Sequence, residues 1–392
     1  MSGSIRRRGA GWEWRTRGPD GRAVSKGGYR TRKAAAEALA KVVTAMSSGV
    51  YVEPSRLTVA SYLTDMWLPA IKSAVAPSTH KSYETHVRRH ICPRIGTVPL
   101  QKLTAAQINA LYRELAVSGY AKGEQAGEKG VSANTVRRVH ATLRRALNDA
   151  VIEWRLLARN VAAGGSVKLP KVGRGRMQVW SASELQAFLS FAQHDRLYPL
   201  WRFLAMTGVR RGEALGLTWA DMALNTRVVS ITQARTSRGT SSTKTERSRR
   251  ALDLDVETVS VVKEWRKVQL EDRMQWGELW TDTGLVFVRE DGKPCHPDTI
   301  TAVFERLQSA YNAAETEAAK KEGRQPARLP RLRLHDLRHT HATLLLANGE
   351  NPKVVSERLG HSSVGFTLTV YAHVLPGLQK EAVSRLAALV DG

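Results

Sequence analysis

Four side chains near the C-terminus have the chemistry of a site that acts on an anionic ester. His335 and Arg338 stand three residues apart, so on a helix they share one face. His361 follows Gly360, a residue type that commonly ends a helix in the left-handed conformation. Tyr371 comes ten residues later, and a phenol becomes a nucleophile once it loses its proton. The spacing predicts that a histidine pair, an arginine and a phenol converge.

Consecutive helix ends are expected to position these groups. Asp336 is expected to cap the helix that carries the arginine. Asn351 and Pro352 have the residue types that open a helix, at the cap and at the first position. The tyrosine lies in a short apolar helix that Pro376 closes. The polar groups are therefore held by backbone geometry and do not form a solvated helix face.

Two motifs lie upstream of this stretch. Thr207-Gly208-Val209-Arg210 continues to Glu213 and has the form T-G-x-R-x-x-E. Lys244 lies in a Ser/Thr/Gly-rich segment between expected strands at 227–233 and 249–254. Arginine has a planar fork that keeps its proton, and it suits the stabilisation of charge on phosphate oxygens.

In five sequence elements the chain resembles the tyrosine recombinases, the phage integrase family. These elements are T-G-x-R-x-x-E, a lysine on a hairpin, H-x-x-R, L-G-H, and a tyrosine ten residues after the L-G-H histidine. Five elements in the right order are far more specific than one short motif. Glu213 is expected to orient the site through neighbouring basic groups. The resemblance implies a catalytic set of Arg210, Lys244, His335, Arg338, His361 and Tyr371.

Each of these residues has an expected role. The two arginines stabilise negative charge on the scissile phosphate, and His361 hydrogen-bonds the same group. A free tyrosine has a pKa of about 10, so His335 is expected to take the phenol proton. The 5′ oxygen of deoxyribose is a poorer leaving group than a phenoxide, so Lys244 is expected to protonate it.

The resemblance also implies a reaction and partners. It implies a 3′-phosphotyrosine intermediate, a free 5′ hydroxyl, and religation by the 5′ hydroxyl of another strand. Because the enzyme linkage retains the ester energy, no ATP, metal or other cofactor is expected. The implied assembly is a homotetramer that joins two duplexes at core and arm attachment sites. An excisionase and a host DNA-bending protein are further expected partners in the integration or excision of a phage or mobile element.

Three other functions fit these residues less well. A type IB topoisomerase-like enzyme shares the nucleophile, but the L-G-H and T-G-x-R-x-x-E contexts speak against it. A DNA-binding regulator with an inactive site would lack a catalytic residue, and none is missing. His335 and His339 have the spacing of a zinc helix, yet Asp336 stands where the metalloprotease motif requires glutamate. No metal site is therefore expected.

The composition indicates a nucleic-acid-binding protein. The chain has 392 residues, with 60 Lys and Arg against 36 Asp and Glu, and a formal net charge of +24. No apolar run approaches the ~20 residues that a membrane span needs. The basic N-terminus lacks the apolar core of a signal peptide, and Cys92 and Cys295 are too far apart for a metal or disulfide framework. We expect a cytoplasmic, nucleoid-associated protein.

The expected fold class is mainly α with small β-sheets. Residues 1–50 combine 11 Lys and Arg with 3 Asp and Glu, and two strands and a helix resemble an arm-type DNA-binding domain. The sequence I-G-x-x-P-L-x-x-L-T at 95–104 resembles the family's helical core-binding domain. The expected organisation is residues 1–52 as the arm-type domain, 53–162 as the SAM-like core-binding domain, 163–177 as a linker and 178–392 as the catalytic domain.

The sequence also predicts several local features. The helix from Ser78 is expected to end at Ile91, where the segment that starts at Pro93 (93–96) breaks the chain. Residues 285–289 are expected to form a strand, 313–331 a polar and partly mobile connection, and 378–389 a last helix. Basic side chains on the first two domains are expected to contact phosphates, although an ordinary solvated surface is the alternative. These side chains are Arg15, Arg30, Lys81, Arg88, Arg89, Arg137, Arg138, Arg144 and Arg145.

Overall fold

A computed structural model gives the architecture of most of the chain. It describes residues 3–18, 21–49, 51–118, 130–173, 177–236, 239–242, 249–360 and 363–371, with 383, 387 and 390. The fold is mainly helical with small antiparallel sheets, as the sequence predicts. The chain divides into two compact units between residues 174 and 175. No helix in this described part is long and apolar enough to cross a membrane.

The first unit begins with a three-stranded antiparallel sheet. The predicted strands are confirmed as Gly11–Arg17 and Ala23–Tyr29, and the helix Arg32–Ser47 starts at Thr31, whose hydroxyl accepts from the Ala34 backbone N–H. A further edge strand, Ser4–Arg8, was not predicted, because three consecutive arginines hide its alternation. The Pro19-Asp20 part of the predicted turn lies outside the described residues.

Two arginines of the edge strand face a buried acid on its neighbour. Glu13 is 2% exposed and accepts from Arg6 Nε at 2.9 Å and from Arg8 Nη1 at 3.1 Å. On the same strand the Trp14 indole donates to the Tyr29 hydroxyl at 3.1 Å. Part of the N-terminal positive charge therefore holds the sheet together.

In the described residues of the first unit, four longer helical stretches and the short helical turn Leu100–Lys102 follow. Apolar side chains that recur at helical spacing form one buried cluster, with Tyr62 and Trp67 among its largest members. The Trp67 indole donates to Asp149 at 2.7 Å, which ties the first stretch to the last. The stretches are Val59–Ser61 with Tyr62–Trp67 and Leu68–Ala70; Pro77–Thr85 with His86–Ile91 and Cys92–Ile95; Ala105–Ser118; and Ala133–Ile152.

The predicted helix break at Pro93 is wrong. The helix passes through a π-helical turn, His86–Ile91, and then continues as Cys92–Ile95. Pro93 has no N–H for the helical hydrogen-bond ladder, and the wider π-helical turn directly before it is where the helix accommodates this loss. The segment 119–129, which includes most of the predicted glycine-rich loop, lies outside the described residues.

The first part of the predicted linker is attached to the helical unit. Asn109 donates to the carbonyl of Ser166 at 2.8 Å and accepts from the Lys168 backbone N–H at 2.8 Å. Arg137 Nε donates to the Pro170 carbonyl at 3.1 Å. These bonds fix the chain on the bundle at least as far as residue 170.

The second unit surrounds a large apolar cluster with helices and two small sheets. The strands Met222–Ala223, Val228–Ile231 and Arg250–Asp253 form an antiparallel sheet in that order, and Gln233–Thr236 pairs with Gly239–Ser242 as a hairpin. The helices are Ala182–Ala192, Tyr198–Thr207, Arg211–Gly216, Val256–Trp276, Pro297–Glu322, Asp336–Ala347, Pro352–Leu359 and Val364–Tyr371.

Two further predictions for this unit are wrong. Residues 285–289 form isolated bridges from Leu285 and Val288 instead of a strand, because each pairs with one residue of a different segment. The polar stretch 313–331 is helical as far as Glu322, and Asn312 then fixes Leu329 through two hydrogen bonds of 2.7 and 3.1 Å. The predicted helix at 378–389 lies almost entirely outside the described residues.

Candidate active site

Arg210 is positioned by a sharp junction between two helices. Helix Tyr198–Thr207 ends at Gly208, which has a φ of +64°, and Arg210 is extended before helix Arg211–Gly216 begins. A Cβ on Gly208 would lie 2.6 Å from the His341 ring and 2.8 Å from Leu359. Glycine is required here both for the left-handed backbone and for the close approach of these side chains.

Arg338 lies on the buried side of helix Asp336–Ala347, and its side chain is 3% exposed. Its Nη1 donates to the Gly208 carbonyl at 2.8 Å and its Nη2 to the Leu359 carbonyl at 2.6 Å. The prediction that Asp336 caps this helix is wrong. His335 occupies the cap position, and the Asp336 carboxylate turns back to accept from the backbone and guanidinium of Arg333.

Arg210 and Arg338 come together at the end of a third helix. Helix Pro352–Leu359 starts at Asn351, whose side chain accepts from the Lys353 N–H, and ends at Gly360 with a φ of +65°, both as predicted. Arg210 Nη2 donates to the Gly360 carbonyl at 3.3 Å, one residue beyond the carbonyl that Arg338 contacts. Unlike Arg338, Arg210 keeps 43% of its side chain exposed.

Glu213 links Arg210 to a third arginine that was not predicted. Its carboxylate accepts from the Arg210 backbone N–H at 2.9 Å, from Arg210 Nη1 at 2.7 Å and from Arg250 Nη2 at 2.8 Å. Burial by itself would raise the pKa of Glu213, but the hydrogen bond and charge of Arg250, followed by those of Arg210, lower it overall. The carboxylate therefore stays ionised between two guanidinium groups.

The sequence does contain a signal for Arg250. In strand Arg250–Asp253, side chains alternate between faces, so Arg250 points the same way as the buried Leu252. The neighbouring Arg249 gives the pair the pattern of a charged strand end, which masks this signal.

His335 and His339 are neighbours at the start of helix Asp336–Ala347, which carries Arg338. Their rings meet edge to face, with centroids 5.3 Å apart. Partial burial and then the positive charge of Arg338 lower the pKa of His335, although the residue remains exposed to solvent. Burial and then His335 lower the pKa of His339 to about 4. Both imidazoles are therefore neutral at pH 7, the state in which His335 can accept a proton.

His341 is structural, which is one of the two interpretations that the sequence left open. Its Nδ1 bonds the Ala205 carbonyl at 3.0 Å, and its Nε2 accepts from Arg358 Nε at 3.2 Å. This pairing requires the neutral tautomer with the proton on Nδ1. Burial and then the charge of Arg358 lower the pKa of His341 to about 4.

Three of the predicted catalytic groups have no described side chain. Lys244 and His361 lie outside the described residues. Tyr371 is the last residue of helix Val364–Tyr371, which the sequence predicted, but its side chain lies outside the description. Arg210, Arg338 and His335, with Glu213, form the part of the site whose geometry is known.

The residues predicted to contact DNA lie on the surface of the first unit. All nine are exposed, and some make contacts within the protein as well. Arg88 pairs with Glu84 at 3.0 Å, and Arg145 Nη1 donates to the Tyr83 hydroxyl at 3.0 Å while its guanidinium lies 5.5 Å from the ring centroid. Their roles in DNA binding stay predictions.

The fold and the site define a tyrosine recombinase, an enzyme that breaks and rejoins DNA. Residues 178–377 match the phage integrase family, and residues 60–116 match the N-terminal SAM-like domain of phage integrases. The chain therefore belongs to the phage integrase family.

Similar proteins cover nearly the whole chain. A tyrosine recombinase XerC-like protein of Caldanaerobacter subterraneus subsp. tengcongensis is 24% identical over 94% of this chain and 93% of its own length. The ICEBs1 integrase of Bacillus subtilis is 26% identical, with coverage of 84% and 82%. An integrase of Streptomyces ambofaciens is 27% identical, with coverage of 92% and 88%.

Solved structures show the same fold at lower identity. The Tn1549 transposon integrase in complex with a circular intermediate DNA has a TM-score of 0.66 and 22% identity, over 84% of this chain and all of that one. A lambda integrase dimer bound to a core site has a TM-score of 0.59 and 17% identity, over 94% of each chain. Lambda integrase was also solved as a tetramer bound to a Holliday junction.

Proposed function

We propose that Tyr371 is the nucleophile of a site-specific integrase that inserts or excises a phage or other mobile element. The observation that carries this proposal is the meeting of Arg210 and Arg338 at the end of helix Pro352–Leu359, directly before the segment that leads to the tyrosine. The names of its relatives, an ICEBs1 integrase and a Tn1549 transposon integrase, support the association with mobile elements.

The proposed cleavage step exchanges one phosphoester for another. The phenol oxygen of Tyr371 bonds to phosphorus, and the bond from phosphorus to the 5′ oxygen breaks. His335, which is neutral at pH 7, takes the phenol proton, and Lys244 gives a proton to the leaving 5′ oxygen. Attack by a 5′ hydroxyl of another strand reverses the step, so ATP and metal ions are not required.

The charged groups around the phosphate have different proposed tasks. Arg210 is the exposed member of the arginine pair, so it is the one placed to reach a non-bridging oxygen. Arg338, for which the sequence predicts the same task, is enclosed by its two carbonyl contacts, so its proposed task is to fix the two backbone segments that frame the site. His361 follows the Gly360 turn and supplies a hydrogen bond to the same phosphate.

The proposed assembly is a homotetramer that holds two duplexes. Residues 1–52 bind arm sites, 53–162 bind core sites, 163–177 link the domains, and 178–392 perform the chemistry. An excisionase and a host DNA-bending protein set the direction of the reaction in the cytoplasm, on nucleoid DNA. The lambda integrase tetramer on a Holliday junction supports the subunit number.

Replacement of the tyrosine tests the proposal. Tyr371→Phe removes one hydroxyl, so DNA binding should persist while the covalent adduct disappears. A nicked suicide substrate traps the adduct, and denaturing electrophoresis detects it. The matched control is Tyr311→Phe, which removes the hydroxyl of a tyrosine packed against Phe191 in the same unit. An adduct that persisted in Tyr371→Phe would remove Tyr371 from its role.

A further inference from the structure

Three consecutive backbone carbonyls at one helix end each accept from a different arginine. Arg250 Nε donates to the Arg358 carbonyl at 2.8 Å, Arg338 Nη2 to that of Leu359 at 2.6 Å, and Arg210 Nη2 to that of Gly360 at 3.3 Å. We propose that Arg250 is a positioning residue for DNA cleavage, because it aims Arg210 through Glu213 while it holds the end of this helix.

The helix end is suited to this task. The last four carbonyls of an α-helix have no intrahelical partner, and the helix dipole places partial negative charge on them. Gly360, in the left-handed conformation, turns the chain at this point. Three guanidinium groups supply the missing donors and the favourable charge.

Arg250 is enclosed by the groups that it joins. Its side chain is 8% exposed. Besides the Arg358 carbonyl, it contacts Glu213 through Nη2 at 2.8 Å and through Nη1 at 3.4 Å. A Cβ on Gly360 would lie 3.0 Å from Arg250 Nη1, so the guanidinium packs directly on the helix end. Such a buried fork is poorly placed to contact DNA itself.

The effect of Arg250 on the phosphate passes through Arg210. Glu213 Oε2 accepts from Arg250 Nη2 and from the Arg210 backbone N–H, and Oε1 accepts from the Arg210 guanidinium. Arg250 therefore fixes the carboxylate that orients Arg210, whose side chain is 43% exposed. This inference rests on the proposed function, in which Arg210 contacts the scissile phosphate.

Arg250→Lys separates positioning from simple charge. A lysine keeps the positive charge but has one ammonium group, which cannot reproduce the fork that bridges Glu213 and the Arg358 carbonyl. On a phosphodiester substrate, single-turnover cleavage should fall about a hundredfold, the size expected when one transition-state donor is misplaced. The dissociation constant for core-site DNA should change by less than about twofold, because the residue is buried.

A substrate with an uncharged scissile group identifies the cause of that loss. A methylphosphonate at the scissile position replaces one charged oxygen by a methyl group and removes the need to neutralise it. The ratio of wild-type to Arg250→Lys cleavage should shrink to less than about tenfold on this substrate, because misplaced positive charge matters less there. Equal ratios on the two substrates would overturn the proposal.

Arg202→Lys is the matched control. Arg202 Nη2 pairs with Asp255 at 2.9 Å in the same unit, and its side chain is 15% exposed. It should lower the thermal midpoint about as much as Arg250→Lys does but leave cleavage of both substrates near wild type. If the two variants lost cleavage alike, Arg250 would be only a stabilising ion-pair partner.

Two more variants distinguish a failure of the proposed function from a failure of the proposed role of Arg250. Arg210→Ala tests the proposed function, since it should show a large loss on the diester and a small one on the methylphosphonate, whatever Arg250 does. Glu213→Gln weakens the connection from Arg250 to Arg210 without removing Arg250. It therefore tests the positioning role of Arg250 even if Arg250→Lys does not fold. In the folded double variant, the two losses should not add, because both residues act through one contact. Additive losses would contradict a shared path.

Discussion

Arg338 and Arg144 are the same residue type in two very different surroundings. Arg338 is 3% exposed and donates to two backbone carbonyls within the second unit. Arg144 is exposed on helix Ala133–Ile152, between buried residues that form the helix's inner face. The contacts of the buried Arg338 depend on the shape of its guanidinium, whereas the contribution of the exposed Arg144 depends mainly on its charge.

The difference has a physical basis. A buried guanidinium has lost its hydration, so the fold must supply acceptors for its donors at fixed positions. An exposed guanidinium keeps its water, and its contribution to DNA binding comes largely from the release of counterions around phosphates. Replacing arginine by lysine should therefore affect the two regions very differently.

The largest expected effect comes from this substitution at the buried position. In Arg338→Lys a single ammonium cannot hold both the Gly208 and the Leu359 carbonyl, so cleavage should fall by about a thousandfold. Arg144→Lys keeps the surface charge and should leave cleavage and affinity within about twofold of wild type. Single-turnover cleavage measures both variants, and circular dichroism confirms that they fold. Similar losses of cleavage in Arg338→Lys and Arg144→Lys would contradict the difference between the buried and the exposed arginine.

A proton-transfer residue should show a dependence on the leaving group that a phosphate-binding arginine lacks. Lys244→Ala should slow cleavage of a normal 5′ oxygen about a hundredfold, as loss of a general acid does. A 5′ phosphorothiolate leaves without protonation, so the variant should cleave it at nearly the wild-type rate. Equal slowing on both substrates would show that Lys244 only binds phosphate.

Deletion of residues 1–50 should affect binding and not chemistry. The segment carries 11 Lys and Arg against 3 Asp and Glu and contains none of the proposed catalytic groups. Its loss should abolish recombination on full attachment sites, preserve cleavage of core-site oligonucleotides, and flatten the slope of log K against log salt by about 0.9 per lost phosphate contact. Affinity for long attachment DNA, measured at several salt concentrations, gives the slope.

The charge control for this deletion lies in the second unit. Lys320 and Lys321 are exposed at the end of helix Pro297–Glu322, and replacing both by glutamine should hardly change the slope. If the truncated protein kept the wild-type slope and still recombined full sites, the N-terminal charge would be ordinary surface charge.

The smallest expected effect is on stability at mildly acidic pH. The pKa of both His339 and His341 is lowered to about 4 in the folded chain, first by burial, whereas an unfolded histidine has a pKa of about 6.5. The unfolded state therefore binds more protons between these values, and stability is lost as pH falls from 6.5 towards 4. For the buried His341 this loss should amount to about 2 kcal/mol between pH 7 and pH 5, and for the half-buried His339 to less, because solvent screens its surroundings.

Urea unfolding at the two pH values measures this loss. His341→Asn keeps an amide that can donate to the Ala205 carbonyl but does not titrate, so it should remove the contribution of His341, about 2 kcal/mol, from the pH dependence. An unchanged dependence in the variant would show that His341 does not titrate with unfolding.

Much of the site could be predicted from local sequence signals. Gly208 and Gly360 mark helix ends because glycine tolerates a positive φ, and both adopt it. Asn351 and Pro352 mark a helix start in the same way. These signals depend on a few neighbouring residues, so local sequence patterns were enough to predict the order of the helices, the placement of Arg210 and Arg338 near helix ends, and the family.

Contacts between distant residues were decided only by the tertiary structure. The Arg210 contact to Gly360 spans 150 residues, and the Arg250 contact to Arg358 spans 108. Local periodicity indicates which face of a strand or helix is buried, but not which carbonyl will lie opposite a given side chain. For this reason the sequence predicts a task for Glu213 but not its partners, does not identify Arg250, and predicts a helix cap at Asp336, whose carboxylate turns to Arg333 instead.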